Sequence, residues 1–273
     1  MTQVLSHQNA PFIVFSDFDG TITTEDSNDH MTDNLGMGRD NRRKGNLDVL
    51  EGKATFRDMF KEMIESVSSK YSFEHCREIV KKNIKLDPGF KEFYQWAKSA
   101  NVPVVIVSRY AISSYCYRAC AQFAHGLVGI SGMEPIIRSI FENLVGEQAA
   151  AEIEIVANDV DTSMGSGPGQ WTIKYRHPES GFGHDKDRCI EPYRRLSPKP
   201  TLFFCGDGVS DLSAARSADV LFVKVKEGTG NDLAKHCTRE QIRHRTFESF
   251  LEVKEVVQSV VEGKVKAEDV GGL

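Results

Sequence analysis

The sequence predicts an α/β fold: a doubly wound, Rossmann-like parallel sheet carrying an inserted helical cap and a β-hairpin. Three observations lead to it. Ile13-Val14-Phe15 is a short apolar run that breaks, through Ser16, into Asp17-Phe18-Asp19-Gly20-Thr21, as a strand buried in a parallel sheet does where it meets a turn. Runs of similar size recur at Val102 to Val107, Thr201 to Cys205 and Val220 to Val223, in alternation with helical patterns, which is how sheets covered on both faces are built. Between Thr24 and Leu86 no strand pattern occurs, and Asp29 to Asn34, Thr55 to Ser66 and Phe73 to Lys82 read as helices.

The first strand, Phe12 to Ser16, delivers Asp17 and Asp19 at its carboxyl end, where open α/β sheets place their sites. Two carboxylates so close repel, and a hard cation with oxygen ligands, such as Mg²⁺, relieves the repulsion. Glu25 to about Lys85 follows as a helical cap, in which Arg39-Asp40-Asn41-Arg42-Arg43-Lys44 reads as a solvated basic loop, with a dedicated phosphate clamp as the alternative. A helix opens at Leu86-Asp87-Pro88-Gly89-Phe90, and the strand Val104-Val105-Ile106-Val107 ends at Ser108. After a helix over Glu134 to Leu144, Ala151 to Asn158 and Gln170 to Arg176 alternate polar and apolar residues around a Gly/Ser/Pro-rich connection. That is a hairpin pattern, and it leaves Asp159-Val160-Asp161-Thr162-Ser163 in the loop. The acidic stretch lacks the glycine and glutamate placement of a calcium loop. The strand ending at Cys205 runs into Gly206-Asp207-Gly208-Val209-Ser210-Asp211, whose glycines let Asp207 and Asp211 turn toward one spot. Helices over Ser210 to Ala218, Asn231 to His236 and Phe247 to Val261 close the chain, the last with one apolar face.

A chain of 273 residues, 40% of them apolar, can bury one sizeable core and a small accessory unit. A net charge of −5 leaves no electrostatic footprint for nucleic acid. The apolar stretches are strand-sized, too short to span a membrane. Met1 to Ala10 lacks the basic and apolar blocks of a secretion signal, and the six cysteines form no metal-type pairs. Reduced thiols and a cytoplasmic location are therefore expected.

Asp17-Phe18-Asp19-Gly20-Thr21, Ser108, Lys186 of Gly183-His184-Asp185-Lys186, and Gly206-Asp207-Gly208-Val209-Ser210-Asp211 come in the order of four motifs. In this the chain resembles the haloacid dehalogenase-like (HAD) superfamily phosphatases over most of its length. Asp17 to Asp29, Leu86 to Phe90 and Ser131-Gly132-Met133-Glu134-Pro135 resemble the phosphoserine phosphatase-like branch, with its enolase-phosphatase-like and fungal polyol-phosphatase-like members. The resemblance implies a catalytic core over 1–24 and 86–273 with the cap, 25–85, as a lid. It implies a Mg²⁺-dependent phosphatase acting on a small-molecule phosphate monoester through an aspartyl-phosphate, as a monomer or homodimer. Asp17 would be the nucleophile and Asp19 the general acid and base. Mg²⁺ would be held by Asp17, Asp19 through its backbone carbonyl, and Asp207, with Asp211 at a metal water or at Lys186. Lys186 and Ser108 would hold phosphate oxygens, with Thr21, Ser131 and Gly132 also on the substrate. Asp26 or Asp29 matches a cap acid that recognises a substrate amine, whereas Ser27 and Asn28 suit hydroxyls, so polyol or sugar phosphates rank ahead of amino-alcohol phosphates such as phosphoserine. A phospho-Asp switch module and a paralogue without turnover share parts of the pattern, and Mg²⁺-dependent release of phosphate from an aryl phosphate separates them from an enzyme.

One departure from the family pattern stands out. Ser108 is followed by Arg109-Tyr110, and Ser131-Gly132-Met133-Glu134-Pro135 appears only later; joining Ser108 to Ser131 would restore strand, phosphate turn and helix start. Arg109 to Ile130 therefore reads as an insertion. Arg109-Tyr110-Ala111 is compatible with an intron donor (AG/GTACGC), and Ser131 with the matching acceptor. A retained intron is expected, with a family-specific loop as the alternative, and either Ser108 or Ser131 is left to bind phosphate.

Overall fold

A computed structural model describes residues 5–108, 132–179, 186–208, 211–226 and 231–272. Six strands form one parallel sheet: β1 (Phe12–Ser16), β2 (Val104–Val107), β3 (Glu154–Val156), β6 (Thr201–Gly206), β7 (Val220–Lys224) and β8 (Arg245–Phe247). Their order is β3-β2-β1-β6-β7-β8, so β1 is central and the chain crosses to opposite sides of it. That reversal opens a crevice at the carboxyl ends of the neighbouring strands. Ser16 pairs with both Ile106 and Cys205, which brings the tips of β1, β2 and β6 nearly level.

Side chains alternate across the sheet. Val14, Ile106, Phe203, Cys205 and Phe222 face one core layer, which they share with α5 (Phe90–Ser99), α6 (Glu134–Val145) and α11 (Phe250–Val261). Ile13, Phe15, Val105, Val107, Leu202, Phe204, Leu221 and Val223 face the other layer. There they meet Ile190 and Tyr193 of α8 (Asp187–Arg194), Ala214 of α9 (Leu212–Ser217), and Leu233 and Cys237 of α10 (Asp232–Arg239). Two covered faces explain why the strands read as unbroken apolar runs.

Four helices intervene between β1 and α5: α1 (Ser27–Asn34), α2 (Arg39–Leu50), α3 (Phe56–Ser68) and α4 (Phe73–Asn83). Side chains of Asp26, Thr55 and Ser72 cap the amino ends of α1, α3 and α4, each satisfying N–H groups that a helix cannot pair internally. The segments leading into and out of this cap lie side by side, with Thr24 N–H on Lys85 O at 2.9 Å and Asp87 N–H on Ile22 O at 2.7 Å. Asp87 is buried there in an ion pair with Lys224 and accepts from Gly89 N–H at 2.8 Å and Phe250 N–H at 3.2 Å. Lys224→Ala strands this carboxylate, and removing one partner of a buried pair costs roughly 3 kcal/mol or more. An unfolding free energy lowered by that amount in denaturant titration is the expected result; an unchanged value would show that Asp87 is satisfied without its lysine.

Two expectations require correction. The basic run at 39–44 is not a solvated loop: it is the first half of α2, and Arg42 is buried among acids of α1. The hairpin is also displaced. Glu147–Glu152 forms α7, and β3 within the alternating stretch pairs in parallel with β2 instead of folding back. The hairpin is made by β4 (Asp159–Asp161), the stretch read as loop, with β5 (Thr172–Lys174). It packs on the cap, with Trp171 Nε1 donating to Tyr71 O at 2.9 Å and its ring edge-on to Phe73.

Candidate active site

Asp17 directly follows the last residue of β1, where its N–H donates to Cys205 O at 2.8 Å and ties it to the neighbouring strand. Its Oδ1 accepts from Phe18 N–H at 2.7 Å and its Oδ2 faces Lys186 Nζ at 2.8 Å. Lys186 has no exposed surface and also donates to Asp211 Oδ1 at 2.5 Å. A lysine so enclosed is tolerated only when paired. Burial opposes its charge, yet the two carboxylates outweigh burial and hold its pKa above the ordinary lysine value.

Asp207 sits at the tip of β6 and accepts from Thr21 Oγ1 at 2.9 Å. The approach of the two turns is close: a Cβ on Gly20, whose φ is +80°, would lie 2.4 Å from Asp207 Oδ2. No side chain fits there. Asp211 lies beneath, its Oδ2 accepting from Asp207 N–H and Gly208 N–H, both at 3.1 Å. Burial, and then the charge of Asp211, pushes Asp207 up to about 7. Burial also raises Asp17 well above the usual range, against the pull of Lys186.

Oxygens of Asp17, Asp207 and Asp211 lie within 4.8 Å of one another. Buried carboxylates driven toward protonation by desolvation and mutual repulsion fit a divalent cation, which restores them to the charged form. Asp17 and Asp207 suit direct ligation. Both oxygens of Asp211 are already engaged by Lys186 and by two N–H groups, which suits it to holding the lysine and the turn.

Asp19 is buried and belongs equally to the cap. Its Oδ1 accepts from Ser27 N–H at 2.8 Å and its Oδ2 from Asn28 Nδ2 at 3.2 Å, both on the first turn of α1. Burial and the nearby charge of Asp26 raise its pKa well above the ordinary aspartate value. A carboxyl shifted in this direction is suited to giving and taking a proton.

The remaining predicted residues divide. Ser108, at the tip of β2, is fully buried, and its Oγ accepts from Gly132 N–H at 3.0 Å; Ser131 lies outside the described residues. The Thr21 hydroxyl, expected on substrate, is engaged by Asp207, because the turn after β1 packs against the one after β6. Asp26 Oδ1 accepts from Asn28 N–H at 2.8 Å and Asp29 N–H at 2.9 Å and so caps α1. Asp29 pairs with Arg42 at 2.6 Å; burial and Asp26 nevertheless push it up to about 8. Two residues were missed. Arg42 also donates to both oxygens of Asp33, at 2.7 and 2.9 Å, and the signal was the four-residue spacing of Asp29 and Asp33 in α1, which puts both on one helical face. Asn231 donates to Asp207 O at 2.8 Å and Lys224 O at 2.7 Å while capping α10, and so ties β7 to the Asp207 turn; a lone asparagine before a helix gave no hint of that.

A carboxylate at the tip of a central strand, a buried lysine against it, acids on the turn after the adjacent strand and an inserted set of helices touching Asp19 are the arrangement expected of a capped hydrolase. The chain belongs to the haloacid dehalogenase-like hydrolases, whose family pattern matches residues 14–111, and is an enzyme of their phosphatase group. It is 44% identical over 255 residues to Pdp3-interacting factor 1 of Schizosaccharomyces pombe, across 93% of this chain and 97% of that protein. It is 38% identical over 260 residues to polyol phosphate phosphatase PYP1 of Saccharomyces cerevisiae, across 92% of this chain and 95% of that protein. In fold it is similar to a phosphoserine phosphatase solved as an analogue of its phospho-aspartyl intermediate, with a TM-score of 0.58 at 16% identity, covering 90% of this chain and 97% of the other.

Proposed function

We propose that this protein hydrolyses a small polyol or sugar phosphate through an aspartyl-phosphate on Asp17, with phosphoserine-like amino-alcohol phosphates the second choice. The observation that carries the reading is the placement of Asp17 between Lys186 and Asp207, with Asp19 two residues on. Asp17 attacks phosphorus as the bond to the leaving oxygen breaks, and Asp19 gives that oxygen its proton. Asp19 then takes a proton from water, which attacks the phosphoryl group, releases phosphate and restores Asp17. Lys186 and Ser108 hold the oxygens that are not transferred. Asp17 and Asp207 would hold Mg²⁺, as would the Asp19 carbonyl by family resemblance; when bound, the ion neutralises phosphoryl charge. Among the described residues no helix is long and apolar enough to cross a membrane, and Cys76, Cys189, Cys205 and Cys237 are thiols, which supports action in the cytosol.

The choice of substrate rests on α1. Ser27 Oγ, Asn28 Oδ1, Asp29 Oδ1 and Thr32 Oγ1 are buried without a hydrogen-bond partner, and buried polar atoms call for one. A hydroxylated leaving group can donate to and accept from such atoms. An ammonium would need an unpaired acid, yet Asp29 is matched by Arg42 and Asp26 caps the helix.

The test is Mg²⁺-dependent phosphate release from an aryl phosphate, then from sugar-alcohol phosphates, sugar phosphates and phosphoserine. The highest kcat/KM is expected on a polyol phosphate. Preference for phosphoserine would overturn the substrate, and no release from any compound would overturn the activity. Asn28→Ala removes both a donor to Asp19 and a bare acceptor, so losses of about 10-fold on the aryl phosphate and a further 10-fold on the polyol phosphate are expected.

A further inference from the structure

Ser108 and Gly132 stand 24 positions apart in sequence and touch in space. Ser108 Oγ accepts from Gly132 N–H at 3.0 Å, and a Cβ built on Gly132 would lie 2.5 Å from that Oγ and 3.2 Å from Ser108 Cβ. A serine oxygen accepting from an N–H is the contact made by a short ST-turn, in which the donor lies two residues ahead. One residue between Ser108 and Gly132 would suffice to make it, since consecutive Cα atoms are about 3.8 Å apart.

Both ends of the gap are fixed from outside it. Ser108 N–H donates to Val156 O at 3.2 Å, at the end of β3. Gly132 O accepts from Asn158 N–H at 3.3 Å, and Glu134 N–H donates to Asn158 O at 2.8 Å, with Met133 buried between. The residue just after β2 and the residues just before α6 are thus laid side by side along β3 and its extension, in contacts that involve no residue from 109 to 131. Strand-to-helix connections in α/β units run about 2 to 6 residues. Here a connection of 23 residues joins points already in contact, and the match to the family pattern stops three residues beyond Ser108.

We propose that Arg109 to Ile130 are absent from the working enzyme, which runs from Ser108 through a single serine to Gly132. The 22 residues correspond to 66 nucleotides, so their removal keeps the reading frame, and the expected splice signals at Arg109 and Ser131 leave that one serine. The turn then becomes Val107-Ser108-Ser131-Gly132-Met133, and the Ser108 to Gly132 hydrogen bond becomes local. The inference concerns the chain that is made, and its first test does not depend on the phosphatase reading.

The protein isolated from its native cells is digested with trypsin and its peptides are sequenced by mass spectrometry. Cleavage after Lys98 and Arg138 is expected to give one peptide in which Ser99 to Ser108 continues directly into Ser131 to Arg138. Recovery of Tyr110 to Arg118 instead would overturn the proposal. A second measurement compares recombinant full-length protein with a deletion of 109–130. A folded deletion variant with kcat/KM equal to or above that of the full chain supports the proposal. A deletion variant that fails to fold, or that folds and loses 10-fold or more in kcat/KM, overturns it.

Discussion

Asp17→Asn is expected to lower kcat by about 10⁴-fold or more, since it removes the only group proposed to bond phosphorus. The substitution is nearly isosteric, and the Asn oxygen can still accept from Phe18 N–H, the contact Asp17 makes at 2.7 Å. The salt bridge to Lys186 is lost while Lys186 keeps Asp211 at 2.5 Å, so a folded protein with a lowered unfolding temperature is expected, and kcat measured on folded protein separates a chemical loss from a folding loss. Beryllium fluoride, which mimics a phosphoryl group on a carboxylate, should inhibit the parent. Residual activity above about a hundredth of the parent's in Asp17→Asn would end the covalent mechanism.

Lys186→Met should damage both activity and stability. The lysine has no exposed surface and separates Asp17 from Asp211 by salt bridges of 2.8 and 2.5 Å. Methionine fills similar volume but leaves two buried acids facing each other. Breaking a buried charge cluster costs about 3 to 5 kcal/mol, and losing a cation that holds phosphoryl oxygens costs about 10²- to 10³-fold in kcat. The pH dependence has a definite sign. Burial already raises Asp17 above its unfolded value, and losing Lys186 raises it further. Between the two values the folded state binds more protons, so stability falls as pH rises through that window. Measured in EDTA, the deficit of Lys186→Met should therefore be larger near pH 8 than near pH 5. A deficit that grows as pH falls would show that the acids are held charged by something other than the lysine.

What the sequence made legible was local. The apolar run ending in Asp17 and Asp19, and its counterpart ending in Asp207, announce buried parallel strands because burial on two faces leaves no polar alternation to disguise them. Three of the four helices between Thr24 and Leu86 were legible because no strand alternation interrupts them, two with capping residues, Thr55 and Ser72, at their starts. The stretch 151–158 was misassigned because alternation marks a strand without naming its partner; the open edge of β2 claimed it for the main sheet. α2 was missed because a run of charges looks solvated until its counter-charges are found, and those of Arg42 lie in another helix. Among site residues, chemistry was legible and partners were not. Thr21, Asp26 and Asp29 were recognised as polar groups near the crevice, but the bonds they make were decided by packing.

The placement of Asp19 has a consequence for the timing of the reaction. Both of its oxygens are held by α1, although the residue itself belongs to the turn after β1. The group proposed to move protons is thus aligned by one unit and anchored by another, and only their joint arrangement aims it. A cap that swings away takes Ser27 and Asn28 with it and leaves Asp19 unaimed, at the very moment bulk water gains entry. On the proposed mechanism this would act as an interlock: opening the cap would disarm the proton carrier while alcohol and phosphate exchange with solvent, and closing it would realign Asp19 on a bound phosphoryl group.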